Sequence, residues 1–416
     1  MKKNHIKEKF LIVALLALGA VETSVQAQTD SPTRRANAPN LVIGLLTGQS
    51  DYREVTVQTK DGTFRIYGAG NARPFDLLEG SPERLIIAFK AHGVEIPPGF
   101  SNELRPQKLI YQFFRLERGL ISNIILDEVD YATFESEAVA AEIANASRNY
   151  RIMPLPAPPH AMEMICYNLK HPILRDRAVR QALSYTIHRD EIKRSFFPTT
   201  GAADIGVGPF SKDSRYSPRG LEEYNYNPRK ALALLRAAGW VETNRDGIRV
   251  RNGEPLRFRI FYDQSAQLKE DIIRRIKIKW IQINVDVIPQ PKSYSEIQEA
   301  LRTGNYDAVL LRHNFDETLA SLEEFFSPGW LNYESPMLQK AFANAKKYQG
   351  SPLFRDNIQN IQLIINRDQP VSFLYRPWQF WHAINVAKFQ NYLDGSKQKP
   401  FQELKPFPEW QLKPRP

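Results

Sequence analysis

The side chains that could do chemistry in this sequence form no catalytic or metal-binding pattern. The seven histidines have no close metal-ligand spacing, and the single cysteine, Cys166, stands in no nucleophile motif. The sequence has no Gly-x-Ser-x-Gly elbow, no phosphate-binding loop and no His-Glu-x-x-His helix. His160 and His171 leave a metal or metallophore ligand open as an alternative. The sequence predicts no enzymatic activity, no resident metal and no cofactor.

Aromatic residues and arginines are the side chains best suited to bind a small molecule. Aromatic rings crowd two places: Phe325, Phe326, Trp330 and Tyr333, and then Tyr375, Trp378, Phe380 and Trp381. Such rings either line a ligand cleft, where they offer stacking surface and polar donors, or form core. Arg312 and Arg376 either meet a ligand carboxylate or form surface ion pairs.

The first residues have the pattern of an export signal. Four lysines accompany an apolar run of about eleven residues at positions 10–20, and the small-residue site Val25-Gln26-Ala27 follows. The run is shorter than the roughly 20 residues of a membrane-spanning helix. We therefore predict a signal peptide at 1–27 that is cleaved after Ala27, a flexible leader at 28–40, and a periplasmic protein that does not itself span the membrane.

Composition and charge argue for a globular chain without nucleic-acid binding. The 416 residues are 42% hydrophobic, and the formal charge of +10 arises from 56 basic residues interleaved with 46 acidic ones. A nucleic-acid site requires basic residues concentrated in one region, and no long basic block exists here. The lone Cys166 cannot form an internal disulfide, so a large core must stabilise the fold.

Local signals predict alternating helices and strands after a proline-rich connector at 153–159. Asn227 as cap, Pro228 and the stop at Gly239 predict a helix. An amphipathic helix is predicted over 267–280, whose basic face is either solvated surface or a site for a membrane or partner.

Several motifs resemble one known family. They are Asn168-Leu-Lys-His-Pro-Ile-Leu-Arg-Asp176, Ala178-Val-Arg-Gln-Ala-Leu-Ser-Tyr185 with Arg189, Tyr226-Asn-Pro-Arg-Lys-Ala-Leu-Ala-Leu-Leu-Arg-Ala-Ala-Gly-Trp240, Gly304-Asn-Tyr-Asp-Ala308 and Asp368-Gln-Pro370. In this order they are similar to the motifs of the extracellular solute-binding proteins of family 5, the peptide- and nickel-binding components of ABC importers. His188 departs from the pattern, because the family usually has Asp there.

The resemblance implies an α/β fold of the two-lobed, periplasmic-binding-protein-like kind, type II. Only about seventy residues lie between the first predicted strand, at 41–43, and the segment at 110–114, so the extra N-terminal subdomain of the family is expected to be reduced or absent. We predict a discontinuous first lobe at 41–163 and 372–416, and a second α/β lobe at 164–371. In the family the ligand lies between two closing lobes.

The resemblance also implies site residues. In peptide binders of the family, an Asp on the loop after the Tyr-Asp strand receives the amino terminus of the ligand. Here that position is Asp316, with His313 near the position of the family's Trp. An alternative is that Asp316 merely caps the helix at 319–326. The predicted ligand-binding residues are Asp316, Arg312, His313, Trp330, Tyr375 and Trp378.

Two functions follow from these patterns. The first is a monomeric periplasmic substrate-binding protein that takes a peptide or other small molecule to an ABC permease in the inner membrane. The second is an interaction protein without a transport role, built on a degenerate solute-binding scaffold.

Overall fold

The computed structural model describes the backbone of five strands between residues 40 and 113, and residues 114, 116–156, 160–199, 203–327, 331–393, 404 and 410–413. The predicted signal peptide, nearly all of the predicted leader, and Trp330 lie outside the described residues. No helix in the described ranges is long and apolar enough to cross a membrane.

Nineteen strands of two to seven residues are described. They are β1 Asn40–Leu46, β2 Thr63–Arg65, β3 Pro74–Gly80, β4 Arg84–Phe89, β5 Lys108–Phe114, β6 Tyr131–Phe134, β7 Tyr150–Pro156, β8 Ala161–Tyr167, β9 Ala203–Ile205, β10 Glu242–Thr243, β11 Arg249–Arg251, β12 Glu254–Pro255, β13 Arg257–Asp263, β14 Asp286–Lys292, β15 Ala308–Asn314, β16 Val371–Pro377, β17 Gln379–Asn385, β18 Phe389–Gln390 and β19 Gln411–Leu412.

Ten helices are described along the same chain. They are α1 Glu117–Ile125, α2 Glu137–Ala146, α3 Arg177–Tyr185, α4 Arg189–Phe196, α5 Pro228–Ala237, α6 Gln267–Ile281, α7 Tyr294–Thr303, α8 Leu319–Phe326, α9 Pro336–Lys347 and α10 Leu353–Asp368. The predicted helix after Asn227 is confirmed, because the Asn227 side chain accepts a hydrogen bond from the Lys230 amide and Pro228 is its first residue. The amphipathic helix predicted over 267–280 is α6.

The chain forms two compact units. The first contains the described residues up to Phe134, Ala138–Leu155 and those from Trp381 onward. Its sheet has the strand order β2-β3-β4-β5-β1-β6-β17-β7, in which β1 runs parallel to β5 and β6. Leu120 and Ile124 of α1 pack with Phe134 and Ile143 in its buried core.

The second unit, Glu135–Glu137 and Pro156–Phe380, is built on a six-stranded sheet with the order β14-β13-β15-β8-β16-β9. Successive side chains of a strand point to opposite faces. Accordingly, Ile165 and Tyr167 of β8 belong to one buried cluster, and Met164 and Cys166 to another. Helices α3, α5 and α6 pack on the first face, and α7 to α10 pack on the second. The result is a three-layer α/β/α arrangement.

Two buried arginines of the family-like motifs hold β16 in place. Arg180 Nε donates to the carbonyl of Gln369 at 2.8 Å, and Arg189 Nε donates to the carbonyl of Phe373 at 2.6 Å. Burial lowers the pKa of both guanidinium groups to about 10, so both remain charged at neutral pH. Because their partners are backbone carbonyls, these motif residues fix the scaffold and not a ligand.

The boundaries of the units differ from the predicted lobe boundaries. The second unit already includes β8 from Ala161, and it retains β16, which the prediction assigned to the first lobe from residue 372 onward. The physical reason is the pairing of β16 with β8, which extends the sheet of the second unit. A pairing across about two hundred residues leaves no local signal in the sequence.

Candidate functional site

A row of polar side chains crosses three neighbouring strands of the second unit. Arg312 of β15 is in register with Glu163 of β8, and Glu163 is in register with Tyr375 of β16. Further along the strands the same face carries the apolar core residues Leu310 and Ile165. At the carboxyl end of β15, this face therefore changes from apolar to polar. We call Arg312, Glu163 and Tyr375 the polar row.

Four charged groups in and beside the polar row neutralise one another. Arg312 Nη2 donates to Glu135 Oε2 at 2.5 Å and to Glu163 Oε2 at 2.8 Å, and Arg312 Nη1 also pairs with Glu135. Lys269 of α6 pairs with Glu163, whose side chain has no exposed surface. Two carboxylates therefore face two cations, and the net charge of the group is zero.

The pKa values of these groups follow from burial and pairing. Burial opposes ionisation of Glu135, but the charges of Arg312 and Lys269 outweigh it and lower the pKa of Glu135 to about 2. Burial also disfavours the charged form of Arg312, yet Glu135 and Glu163 hold its pKa well above the ordinary value. Both groups are therefore charged at neutral pH.

Two polar atoms at this end of the sheet are buried without a hydrogen bond. Glu163 Oε1 and Asn314 Oδ1 have no hydrogen-bond partner among the described residues. Burial raises the pKa of Tyr375 well above its usual value, and the carboxylates of Glu163 and Glu135 add to the rise. The charge of Arg312 and its hydrogen bond with the Tyr375 hydroxyl offset this rise only in part. The Tyr375 hydroxyl is therefore protonated and able both to donate and to accept a hydrogen bond.

Asp316 lies just beyond this strand end, on the exposed loop before α8. The alternative that Asp316 caps α8 is wrong, because the Thr318 side chain is the cap and accepts a hydrogen bond from the Ser321 amide. The Thr318 hydroxyl in turn donates to Asp316 Oδ1 at 2.8 Å. Asp316 thus presents an exposed carboxylate that is oriented by the cap residue.

The other predicted ligand-binding residues have different surroundings. His313 packs against Phe315 and Phe325, with ring centroids 4.7 and 4.5 Å away. Tyr375 is 1% exposed, whereas Trp378, directly after β16, is 39% exposed. The polar row therefore brings together Arg312 and Tyr375 of the predicted set, while His313 belongs to an aromatic contact on the other face.

The described members of the first aromatic cluster are core. Phe325 and Phe326 are 1% exposed, and Tyr333 is 4% exposed. Phe326 stacks on Phe315 at a centroid distance of 5.8 Å.

In the second cluster, Phe380 covers the Arg312 guanidinium, whose central carbon lies 5.4 Å from the ring centroid. Arg376 is buried and donates to the Pro209 carbonyl at 2.9 Å, so it forms no surface ion pair of the predicted kind.

The remaining candidates from the sequence are accounted for by other contacts. Arg275 and Lys279 on the basic face of α6 both pair with Glu191, so acids of the same unit neutralise much of that face. His171 Nε2 lies 3.9 Å from Asp307. No group of three or more His, Cys, Asp or Glu side chains suited to a metal ion occurs in the described part of the chain.

A depression of about 470 Å³ opens elsewhere on the surface of the same unit. Its charged and aromatic lining is already paired internally, because Lys230 lies 4.2 Å from the ring centroid of Tyr185 and 3.7 Å from Glu222. The polar row, with the buried and unpaired Glu163 Oε1, is the stronger candidate for a ligand.

Sequence reasoning missed Glu135, Glu163 and Lys269. One signal was available: Glu163 interrupts the otherwise apolar segment Ala-Met-Glu-Met-Ile-Cys-Tyr of β8, which is buried along its whole length. A carboxylate in such a strand must be paired, because burial of an isolated charge is very costly. The identity of the partners depends on strand pairing and could not be read from the sequence.

Comparisons with known proteins identify the family to which this chain belongs. The family model for bacterial extracellular solute-binding proteins, family 5 (middle), matches residues 105–333, which is more than half of the chain. The chain therefore belongs to the bacterial extracellular solute-binding proteins of family 5. The predicted family resemblance is confirmed.

Individual relatives cover only part of the chain. The chain is 26% identical to the oligopeptide-binding protein AppA of Bacillus subtilis over 258 residues, which are 60% of this chain and 46% of that protein. It is 29% identical to the nickel-binding periplasmic protein of Escherichia coli over 150 residues, 36% of this chain and 28% of that protein. The chain thus spans less than half of the length of these relatives.

A solved structure of AppA from Bacillus subtilis in complex with a nonapeptide has the same fold. Its TM-score to this chain is 0.66 at 20% sequence identity, and the match covers 82% of this chain and 66% of that chain. The predicted α/β fold of the family-5 type is confirmed by this similarity.

Proposed function

We propose that this protein is the substrate-binding component of an ABC import system, which binds a peptide or similar small solute and presents it to a permease in the inner membrane. Membership of family 5 supports this proposal. The relatives named above are an oligopeptide-binding and a nickel-binding protein. The interaction protein without a transport role is not favoured.

The observation that carries the proposal is that one face of the sheet changes from apolar to polar at the carboxyl end of β15. Ligands of open α/β sheets bind outside the carboxyl ends of strands, where loops supply polar groups. Here that end carries the buried polar row and then, four residues after Arg312, the exposed carboxylate of Asp316. A small, polar solute requires both buried hydrogen-bonding groups and an exposed charged group.

Asp316 is the proposed anchor for a ligand ammonium group. An exposed carboxylate attracts an ammonium, and desolvation by a bound ligand would strengthen the pair. Arg312 is a poorer anchor for a ligand carboxylate than the sequence suggested, because Glu135 and Glu163 already accept hydrogen bonds from both of its terminal nitrogens. A ligand carboxylate would have to displace one of them.

The mature protein, in this proposal, begins at Gln28 after removal of the signal peptide, is periplasmic, and acts as a monomer without catalytic activity. Intact mass of the protein recovered from the periplasm tests the cleavage site. Retention of residues 1–27 would contradict the periplasmic assignment.

Thermal denaturation with peptide pools tests the binding function. A solute that binds only the folded state adds about 2.7 kcal/mol to the unfolding free energy at 100 times its Kd. The apparent Tm therefore rises with the solute concentration. We expect such a rise with at least one pool of tripeptides that have free termini, and none with the matched mixture of free amino acids. A Tm that no peptide pool changes would contradict the proposal.

A further inference from the structure

The depression of about 470 Å³ on the second unit lies at the other end of the sheet from Asp316. Its lining includes Arg367 near the end of α10, and β16 begins shortly after, at Val371, so the depression lies at the amino end of β16. Strands β15 and β16 both pair antiparallel with β8 and therefore run in the same direction. Asp316 follows the carboxyl end of β15. A molecule in the depression would therefore be separate from one held at Asp316.

Arg367 has only a weak partner for its terminal nitrogens. Its Nε donates to Asp368 Oδ1 at 2.9 Å, whereas its Nη2 contacts the sulfur of Met337 at 3.3 Å. A thioether sulfur is a weak acceptor, and neither terminal nitrogen donates to an oxygen of the described residues. The Arg367 side chain is 46% exposed. Since a guanidinium binds a carboxylate through two parallel hydrogen bonds, Arg367 offers this pair of donors to a ligand.

Lys230 is a second cation in the lining without a strong acceptor. Its Nζ lies 3.7 Å from Glu222 Oε2, which is longer than a hydrogen bond, and 4.2 Å from the centroid of the Tyr185 ring. Both charged side chains of this pair are 48% exposed, and an exposed ion pair contributes little to stability. The Lys230 ammonium can therefore turn towards a bound anion at little cost.

The linked ion pairs around the depression leave one positive charge in excess. Asp368 pairs with Arg367 and, at 3.6 Å, with Arg177, while Glu222 pairs with Lys230. Three cations thus face two acids, so the net charge of the group is +1. A ligand with a single negative charge would neutralise it.

The rest of the lining includes open apolar surface. Met337 is 53% exposed and Leu363 is 37% exposed, and both line the depression together with Leu234 and Ile364. Covering such side chains with an aliphatic chain is favourable. The volume lies within the roughly 300 to 1,000 Å³ of typical small-molecule sites.

We propose that this depression is a second ligand site, which binds a small aliphatic carboxylate. Arg367 and Lys230 bind the carboxylate group, and the aliphatic chain packs on Met337, Leu363 and Leu234. The site is independent of the proposed solute binding at Asp316, because none of its residues belongs to the polar row or to the loop after β15.

Calorimetric titration of the mature protein with octanoate, 1-octanol and octylammonium tests this site. These probes share one chain and differ in the charge of the head group. We expect saturable binding of one octanoate per chain, weaker binding of octanol and no binding of octylammonium. The affinity for octanoate should fall as the salt concentration rises.

Substitutions in the lining locate the bound probe. Arg367→Gln and Lys230→Gln should each weaken octanoate by about 3- to 10-fold and leave octanol unchanged, because each removes a partly exposed cation. Leu363→Asn should weaken both octanoate and octanol. Lys230 and Arg367 lie on different helices, α5 and α10, so a local disturbance by one substitution would not explain a loss in both.

Arg302→Gln is the matched control, because Arg302 is 72% exposed, pairs with the nearby Glu299 and does not line the depression. It should leave the affinity for octanoate unchanged. Absence of saturable octanoate binding to the wild-type protein would overturn the site. Equal affinities for octanoate and octylammonium would do the same, as would wild-type affinity for octanoate in both Arg367→Gln and Lys230→Gln.

Discussion

Glu163 and Arg312 lie directly opposite each other on β8 and β15, 149 residues apart in sequence, and Arg312 Nη2 donates to Glu163 Oε2 at 2.8 Å. The same guanidinium binds Glu135 from the segment that precedes α2. Arg312 is therefore the shared partner of two carboxylates, and much of the local stability depends on this one side chain.

Replacing Arg312 by Met should destabilise the protein strongly. The substitution keeps much of the volume but removes the cation shared by Glu135 and the fully buried Glu163, which should cost about 3 kcal/mol of unfolding free energy. Urea denaturation measures this loss. Arg274→Met is the control, because Arg274 also pairs with two acids, Glu270 and Asp271, but is 60% exposed. It should cost less than about 1 kcal/mol, and equal losses would contradict the account.

The stabilisation from Glu135 should disappear at acidic pH. Its pKa lies at about 2 in the folded protein, below the ordinary 4.5, so the ionised group stabilises the fold fully above about pH 4.5. As the pH falls from there towards about 2, this contribution is lost. We expect Glu135→Gln to be less stable than the wild type by about 2 to 3 kcal/mol at neutral pH, with the difference shrinking below about pH 4. Urea titrations at several pH values measure it, and a difference independent of pH would refute the assignment.

Thr318, and not Asp316, should carry the capping energy of α8. The Thr318 side chain accepts a hydrogen bond from the Ser321 amide, and a lost cap of this kind costs about 1 kcal/mol. Thermal or chemical denaturation of Thr318→Ala should show this loss. Asp316→Asn, which retains an oxygen acceptor for the Thr318 hydroxyl, should have nearly wild-type stability. A larger loss in Asp316→Asn than in Thr318→Ala would mean that Asp316 is structural.

Asp316→Asn should instead weaken the binding of a ligand that carries an ammonium group. The variant keeps the shape and removes the charge, which should cost about 2 to 4 kcal/mol of binding free energy, or roughly 30- to 1000-fold in Kd, if the pair is desolvated. Calorimetry with a tripeptide that binds the wild type measures it, and the acetylated tripeptide is the control. Unchanged affinity for the free tripeptide would remove Asp316 from the site.

Local elements could be predicted from the sequence because their signals are local. The helix α5 begins at Pro228 behind the cap Asn227, and all of the signals for it lie within about a dozen residues. The resemblance also covers the loop that carries Asp316, whose role as a ligand anchor stays a prediction. Each of these features depends on neighbours in the chain.

The polar row could not be predicted because it depends on pairing between distant strands. Glu163 and Tyr375 are neighbours only because β16 pairs antiparallel with β8, with a register shift between Phe373 and Tyr375. Leu374 and Tyr375 are consecutive, so in a regular strand their side chains would point to opposite faces. The register shift allows both to belong to the same core cluster. The predicted lobe boundary at residue 372 was displaced for the same reason.

Native mass spectrometry of the exported protein, purified without denaturation from cells grown on a peptide-rich medium, tests the central claim most directly. A bound solute is detected by its mass even when its identity is unknown. The account predicts the mass of residues 28–416 plus one small solute per chain, released when the protein is unfolded and diminished in Asp316→Asn. A bare polypeptide mass under all growth conditions, together with no binding of added peptides, would contradict the claim that this protein is a solute receptor.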